Sequence, residues 1–259
     1  MRKIKNILLG LCIILLFFGN SQVFAQNERN QGVITSALNG LHYSIKAGFN
    51  VGGTSPLPLP AEVRELKSYN PTVALSIEGN VTKLFNPKWG VTVGVRLETK
   101  GMKTDSRVKN YRMEMVDENQ GEMKGYWTGS VETKVRNTYL TLPVLANYQL
   151  TKRWEIKAGP YFSFATDTEF SGSAYDGYIR DGIPTGEKVE VSYATYDFSS
   201  DMKRFQYGAQ IGTSWKAFSH LSVYADLTWG LNSIFEEDFT AVSFDMYPIY
   251  ANLGFAYLF

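Results

Sequence analysis

From residue 41 onward the chain alternates polar and apolar positions, in recurring stretches of about 10–14 residues. A period of two puts alternate residues on opposite faces of a β-strand. In the first stretch Leu41, Tyr43, Ile45, Ala47, Phe49 and Val51 share one face, while His42, Ser44, Lys46, Gly48 and Asn50 share the other. The second, 71–84, sets Val73, Leu75, Ile77 and Val81 against Ser76, Glu78 and Asn80. The third, 90–102, sets Val91, Val93, Val95 and Leu97 against Thr92, Gly94, Arg96, Glu98 and Lys100. The same pattern recurs over 137–150, 154–165, 204–216, 220–231 and 246–259, which predicts eight strands in all.

The connections alternate in length. Breaker-rich turns follow the second, fourth and sixth strands, the first of them Phe85 to Trp89. Long polar connections, 52–70, 103–136, 166–203 and 232–245, follow the others. An even strand number, short turns on one side and long loops on the other describe an all-β, eight-stranded antiparallel up-and-down transmembrane barrel. No apolar run of the ~18–20 residues that a membrane helix needs follows the first 25 residues. A soluble sandwich also has one wet face and one dry one. Against it stand aromatics near the strand ends on the apolar face, expected as an interfacial girdle: Tyr43, Trp89, Tyr148, Trp154, Trp215, Trp229 and Tyr257. Glycines recur on the polar face, as a crowded lumen requires, and the sequence ends on an aromatic, Phe259, the expected signal to the barrel assembly machinery.

The polar face carries charges of both signs: Lys46, Glu78, Arg96, Glu98, Lys100, Glu155, Lys157, Lys216 and Asp226. An eight-stranded barrel is just wide enough for side chains to fill it. Lone buried charges cost several kcal/mol each unless partnered. These residues are therefore expected to pair as a network that plugs the lumen.

Composition narrows the picture. The 259 residues are 44% hydrophobic and 14% aromatic, too apolar for a disordered chain. A net charge of +1 does not suit a nucleic-acid binder. A mean hydropathy of -0.19 is too polar for a helical membrane protein. Arg2, Lys3 and Lys5, the apolar run Ile7–Phe18 and the small residue Ala25 mark residues 1–25 as a cleaved export signal. Residues 26–39 are then a periplasmic segment and 40–259 the barrel domain, in the outer membrane of a Gram-negative cell. The sole cysteine, Cys12, lies in the signal, so the mature chain has no disulfide, no Cys-ligated metal and no thiol nucleophile.

Candidate chemistry is sparse. Lipid hydrolysis on such a barrel needs a Ser–His pair facing lipid. The two histidines, His42 and His220, fall on the polar face and beside a short turn. The acidic loop clusters Asp117–Glu118 and Glu236–Asp238 read as solvated loops rather than calcium sites. No catalysis, metal or cofactor is expected. Loops on a rigid scaffold are the usual place for binding. Their aromatics, Tyr111, Tyr126, Trp127, Tyr178 and Tyr193, are the candidate surface for a protein or glycan, and they also suit strands continued as a hairpin above the membrane.

Three segments carry a family resemblance: Tyr43 to Asn50; Tyr139 to Tyr148 with Trp154 to Tyr161; and Phe205 to Gly212 with Ala251 to Phe259. In the second, a strand with Pro143 runs through a short turn into Gly159-Pro160. The chain resembles the PorT-like small outer-membrane β-barrels of Bacteroidetes over residues 40–259. That resemblance implies the barrel fold and is nearly silent on activity, although one relative is tied to protein secretion. The leading expectation is a structural or binding barrel surrounded by outer-membrane lipid. A narrow porin is the alternative, and a secretion-associated barrel or barrel lipid hydrolase comes third.

Overall fold

A computed structural model describes residues 40–72, 74–117, 121–242 and 244–259. The expected export signal with Cys12, the segment 26–39, Val73 and Glu118 lie outside the described residues. Among the described residues no helix is long and apolar enough to cross a membrane, which says nothing of a barrel.

The chain is all-β. Its strands are β1 (Leu41–Pro56), β2 (Val63–Pro71), β3 (Ala74–Leu84), β4 (Trp89–Asp117), β5 (Gly121–Gln149), β6 (Trp154–Asp167), β7 (Phe170–Asp181), β8 (Lys188–Asp197), β9 (Phe205–Lys216), β10 (Leu221–Gly230) and β11 (Met246–Leu258). Among the described residues that makes eleven where the alternation predicts eight. All pairings are antiparallel. Eight strands pair in a closed circuit, β1–β3–β4–β5–β6–β9–β10–β11 and back to β1. The other three occupy segments expected to be polar loops. β2 lies within 52–70, and β7 and β8 within 166–203. The segment 103–136 is the outer part of a hairpin in which β4 and β5 have 29 residues each. Their circuit neighbours β3 and β6 have 11 and 14 residues, so more than half of each projects beyond the circuit. There β5 carries β7, β7 carries β8, and β8 returns to β4 through Val116 opposite Thr195.

Burial largely alternates along β4 and β5, but its chemistry inverts between their two ends. Within the circuit the buried positions of β4 include Thr92, Arg96, Glu98 and Lys100, while Val93 and Val95 are exposed. In the projecting part the buried positions include Val108, Met113 and Met115, with the polar Asp117 buried at the tip. A bulge between Val108 and Tyr111, with Asn110 at φ +53°, shifts the alternation by one residue. The odd-numbered Met113 and Met115 then face inward. They join Trp127, Val131, Val135, Phe170, Ile179, Val191 and Tyr196 in an apolar core. The molecule thus has a polar-cored barrel below and an apolar-cored cap above.

Candidate functional site

Every strand of the circuit sends a polar side chain into the lumen. Lys46 on β1 reaches Asp226 on β10 at 2.5 Å and Glu78 on β3 at 3.2 Å. Arg96 on β4 pairs with Glu78 through Nε, and lies 3.6 Å from Glu98 and 3.9 Å from Asp226. It also donates to Gln210 on β9 at 2.9 Å. Lys100 sits 3.2 Å from Glu98. Asn50 and Thr141 donate to Glu98 at 3.1 and 2.8 Å, and Thr141 bonds Ser163 on β6 at 2.7 Å. Asn252 on β11 donates to Asn50 at 2.7 Å. Three cations thus balance three carboxylates, all six nearly inaccessible to solvent. The backbone makes room for them: a Cβ on Gly212, opposite Asp226 in register, would meet the Asp226 carboxylate oxygen at 1.9 Å. Above the network, Lys100 lies 5.2–5.7 Å from the ring centres of Tyr139, Tyr161 and Tyr250. Met102 follows on the same strand, and the apolar core begins there.

Three of the nine expected lumen residues stand apart from this network, which corrects the sequence reading. Glu155 and Lys157 pair with each other at 3.1 Å, half-buried at the short-turn mouth. Lys216 is exposed at the same mouth. All three line a polar vestibule of about 500 Å³ with Lys46 and Asp226. Glu155 and Lys157 lie two and four residues past the short turn that ends at Arg153, and Lys216 directly precedes the turn that begins at Ala217. His42 and His220 line the vestibule too. His220 contacts the Leu258 carbonyl through Nδ1 at 2.8 Å and stacks on Tyr257.

Six of the seven expected girdle residues cluster at the short-turn end: Tyr43, Trp89, Tyr148, Trp154, Trp215 and Tyr257. Trp89 packs on Tyr148 with ring centres 4.7 Å apart, and Trp154 lies 6.4 Å from Trp215. Trp229 lies at the opposite end, where exposed Phe164, Phe205 and Tyr207 make a second belt. Phe259 is exposed, lies edge-on to Tyr257, and donates its backbone N–H to the Tyr43 carbonyl at 3.1 Å.

The loop aromatics divide. Trp127 is fully buried in the cap core, so it is no binding residue; its indole N–H donates to the Ser130 carbonyl at 3.3 Å. Tyr111 also turns inward, edge-on to Phe244 at 5.6 Å, and burial pushes its hydroxyl up from the ordinary tyrosine range. Both belong to β-strands of the cap rather than to an open loop, and the core claims their large rings. Tyr126, Tyr178 and Tyr193 stay at the surface. Tyr178 has Lys188 at 4.3 Å and Arg180 at 5.3 Å from its ring centre. Among the described residues no group of three or more metal-ligating side chains stands together. The sequence reading missed the cap core, although Met113, Met115, Val131 and Val135 mark it by their alternation.

A family model described as the outer membrane protein beta-barrel domain matches residues 24–236. No curated protein matches the sequence. Among solved structures the chain is similar to the attachment invasion locus protein Ail of Yersinia pestis, in complex with the heparin analogue sucrose octasulfate. That likeness is at 11% identity and TM-score 0.34, over 85% of this chain and 97% of that one. It is similar to the outer membrane protease OmpT of Escherichia coli at 10% and 0.37, over 85% and 96%. It is similar also to OprG of Pseudomonas aeruginosa at 10% and 0.34, over 84% and 95%.

Proposed function

The chain belongs to the outer membrane protein β-barrel domain family, and from that premise we propose that it is a plugged, non-catalytic barrel whose folded cap is the working surface. Its place is the outer membrane. In this reading the eight-strand circuit is the transmembrane barrel, of the PorT-like kind, and residues 1–25 are a cleaved export signal. Short turns face the periplasm in such barrels, so the cap stands outside the cell.

One observation carries the reading: the balanced network of Lys46, Glu78, Arg96, Glu98, Lys100 and Asp226 across the lumen. A diffusion pore needs a column of water past its charges. Here the charges face one another, and removing one member of a buried pair costs about 3–5 kcal/mol. With the lumen closed, contact with the surroundings falls to the cap. Its exposed Tyr193 and half-buried Tyr126 and Tyr178, the last beside Arg180 and Lys188, suit a protein or glycan partner. Single-channel recording of the refolded protein in a planar bilayer, beside a Glu98→Ala variant, tests the plug. Silence in the parent with leak in the variant is expected. Steady ion-selective openings in the parent would replace this reading with the narrow porin.

A further inference from the structure

The wall of the molecule has a seam. β1 pairs with β3 as far as Asn50 opposite Ala74. Beyond that point β1 stays with β11, up to Pro56 opposite Met246. β2 stays with β4, up to Val63 opposite Val108. Among the described residues no ladder joins β1 to β2, although they are consecutive and adjacent. The connection does not continue either strand: in it Pro56, Pro58 and Pro60 alternate with Leu57 and Leu59, and proline has no N–H to give to a ladder. A side-chain bond, from Tyr69 Oη to the Gly52 carbonyl at 2.6 Å, crosses the lower end of the gap.

Behind the seam lies a cavity of about 320 Å³, at the small end of the ~300–1,000 Å³ typical of ligand sites. Its inner wall includes Met102, Met113, Met246, Phe170 and Phe198. Thioethers are unbranched and flexible, so such a wall adapts to an apolar guest. The Tyr196 hydroxyl in this wall is already bonded, to Thr133 at 2.7 Å and to the Glu132 carbonyl at 2.9 Å. The mouth carries exposed Leu59, Leu66 and Tyr69, with Arg64 and Glu65 beside them. Its height follows from the register. Gly53 on the seam pairs with Ile249, which pairs with Trp229 of the second aromatic belt. The opening therefore starts where the lipid-facing band ends, and its apolar lip continues that band.

We propose that this cavity takes one unbranched acyl chain, entering sideways through the β1–β2 seam from the outer leaflet. The apolar chain lies against the methionines and phenylalanines, and its polar end stays in water beside Arg64 and Glu65. This rests on the outer-membrane placement and not on the closed lumen.

The test is fluorescence quenching in phosphatidylcholine nanodiscs. Phe244, on the cavity wall, is replaced in a Phe244→Trp variant, and 12-bromododecanoate is titrated in. The native lipid-facing tryptophans report partition into the bilayer as quenching that grows linearly. The added tryptophan is expected to show a further, saturable component. A Leu59→Glu/Leu66→Glu variant changes exposed residues alone and is expected to raise the half-saturating concentration at least tenfold. Should Phe244→Trp fail to fold, Leu59→Trp on the exposed lip gives a second reporter. Saturable quenching of the reporter in discs of dibrominated phosphatidylcholine, without added fatty acid, would identify a bilayer lipid as the source; its absence there would leave the free fatty acid. Purely linear quenching would overturn the proposal. So would saturation by bromobenzene but not by the chain, or an unchanged response in the seam variant. Conductance is not read, so a leaking barrel would leave this result interpretable.

Discussion

The barrel and the cap share two strands, β4 and β5, and obey opposite rules. Along β4 the inward positions are Arg96, Glu98 and Lys100 in the lower part, and Met113 and Met115 in the upper part. Along β5 they include the polar Asn147, Thr141 and Asn137 below, interspersed with Leu145 and Tyr139, and the apolar Val135, Val131 and Trp127 above. Backbone geometry hardly changes between the two parts. What changes is the medium outside. Below, lipid accepts Val93, Val95, Leu140 and Leu142, and polar groups gather where they can bond one another. Above, water drives the apolar set inward. Burial in a strand thus says which face is enclosed, and the surroundings decide which chemistry is enclosed.

The largest effect is expected where the barrel's interior is least forgiving. Arg96→Ala leaves Glu78, Glu98 and Asp226 facing one another without the guanidinium between them. Loss of about 3–5 kcal/mol is expected, since a buried charge set has been left unbalanced. Urea unfolding followed by the heat-dependent shift in gel migration reads it. An unchanged midpoint would mean that water already reaches the network, and the contrast between the two interiors would fade.

A similar loss is expected in the cap, but confined there. Trp127→Ala removes a fully buried ring from the apolar core, at a cost of about 3–5 kcal/mol. The cap should become open to protease cleavage within 121–135, while the barrel keeps its folded migration on gels. Loss of both together would show that the two regions unfold as one unit.

How far the sequence could be read follows from the same inversion. The lower strands were legible almost to the residue, because their alternation keeps one sense: Leu41 to Val51 and Trp154 to Ala165 lie within β1 and β6. The reading of β4 stopped at Met102 and that of β5 at Asn137. Those are the points where the inward face turns from polar to apolar. The bulge at Asn110 then shifts the phase. A pattern that changes sense and phase within ten residues looks like a loop. Of the lumen network, Lys46, Glu78, Arg96, Glu98, Lys100 and Asp226 were visible as polar-face charges. Their separation from Glu155, Lys157 and Lys216 depends on distance from the mouth, which residue type does not encode. The seam was written in Pro56, Pro58 and Pro60, but its meaning needs the knowledge that β2 follows and pairs elsewhere.

One pair of substitutions isolates the medium from everything else. Val93 and Val116 lie on the same strand, both outward, at 48% and 49% exposure. Val93 stands within the lipid-facing band and Val116 near the tip of the cap, opposite Thr195. Val93→Arg is expected to destabilise the barrel by about 2–4 kcal/mol, as a cation held in the bilayer does. Val116→Arg is expected to stay within about 0.5 kcal/mol of the parent, as exposed substitutions in water do. Urea titration of both variants in the same phosphatidylcholine vesicles reads the difference directly. Neither substitution touches the lumen network or the cap core, so packing contributes little to either value. Equal costs at the two positions would place both in one medium. The boundary drawn between barrel and cap at Met102 and Val135 would then have to move.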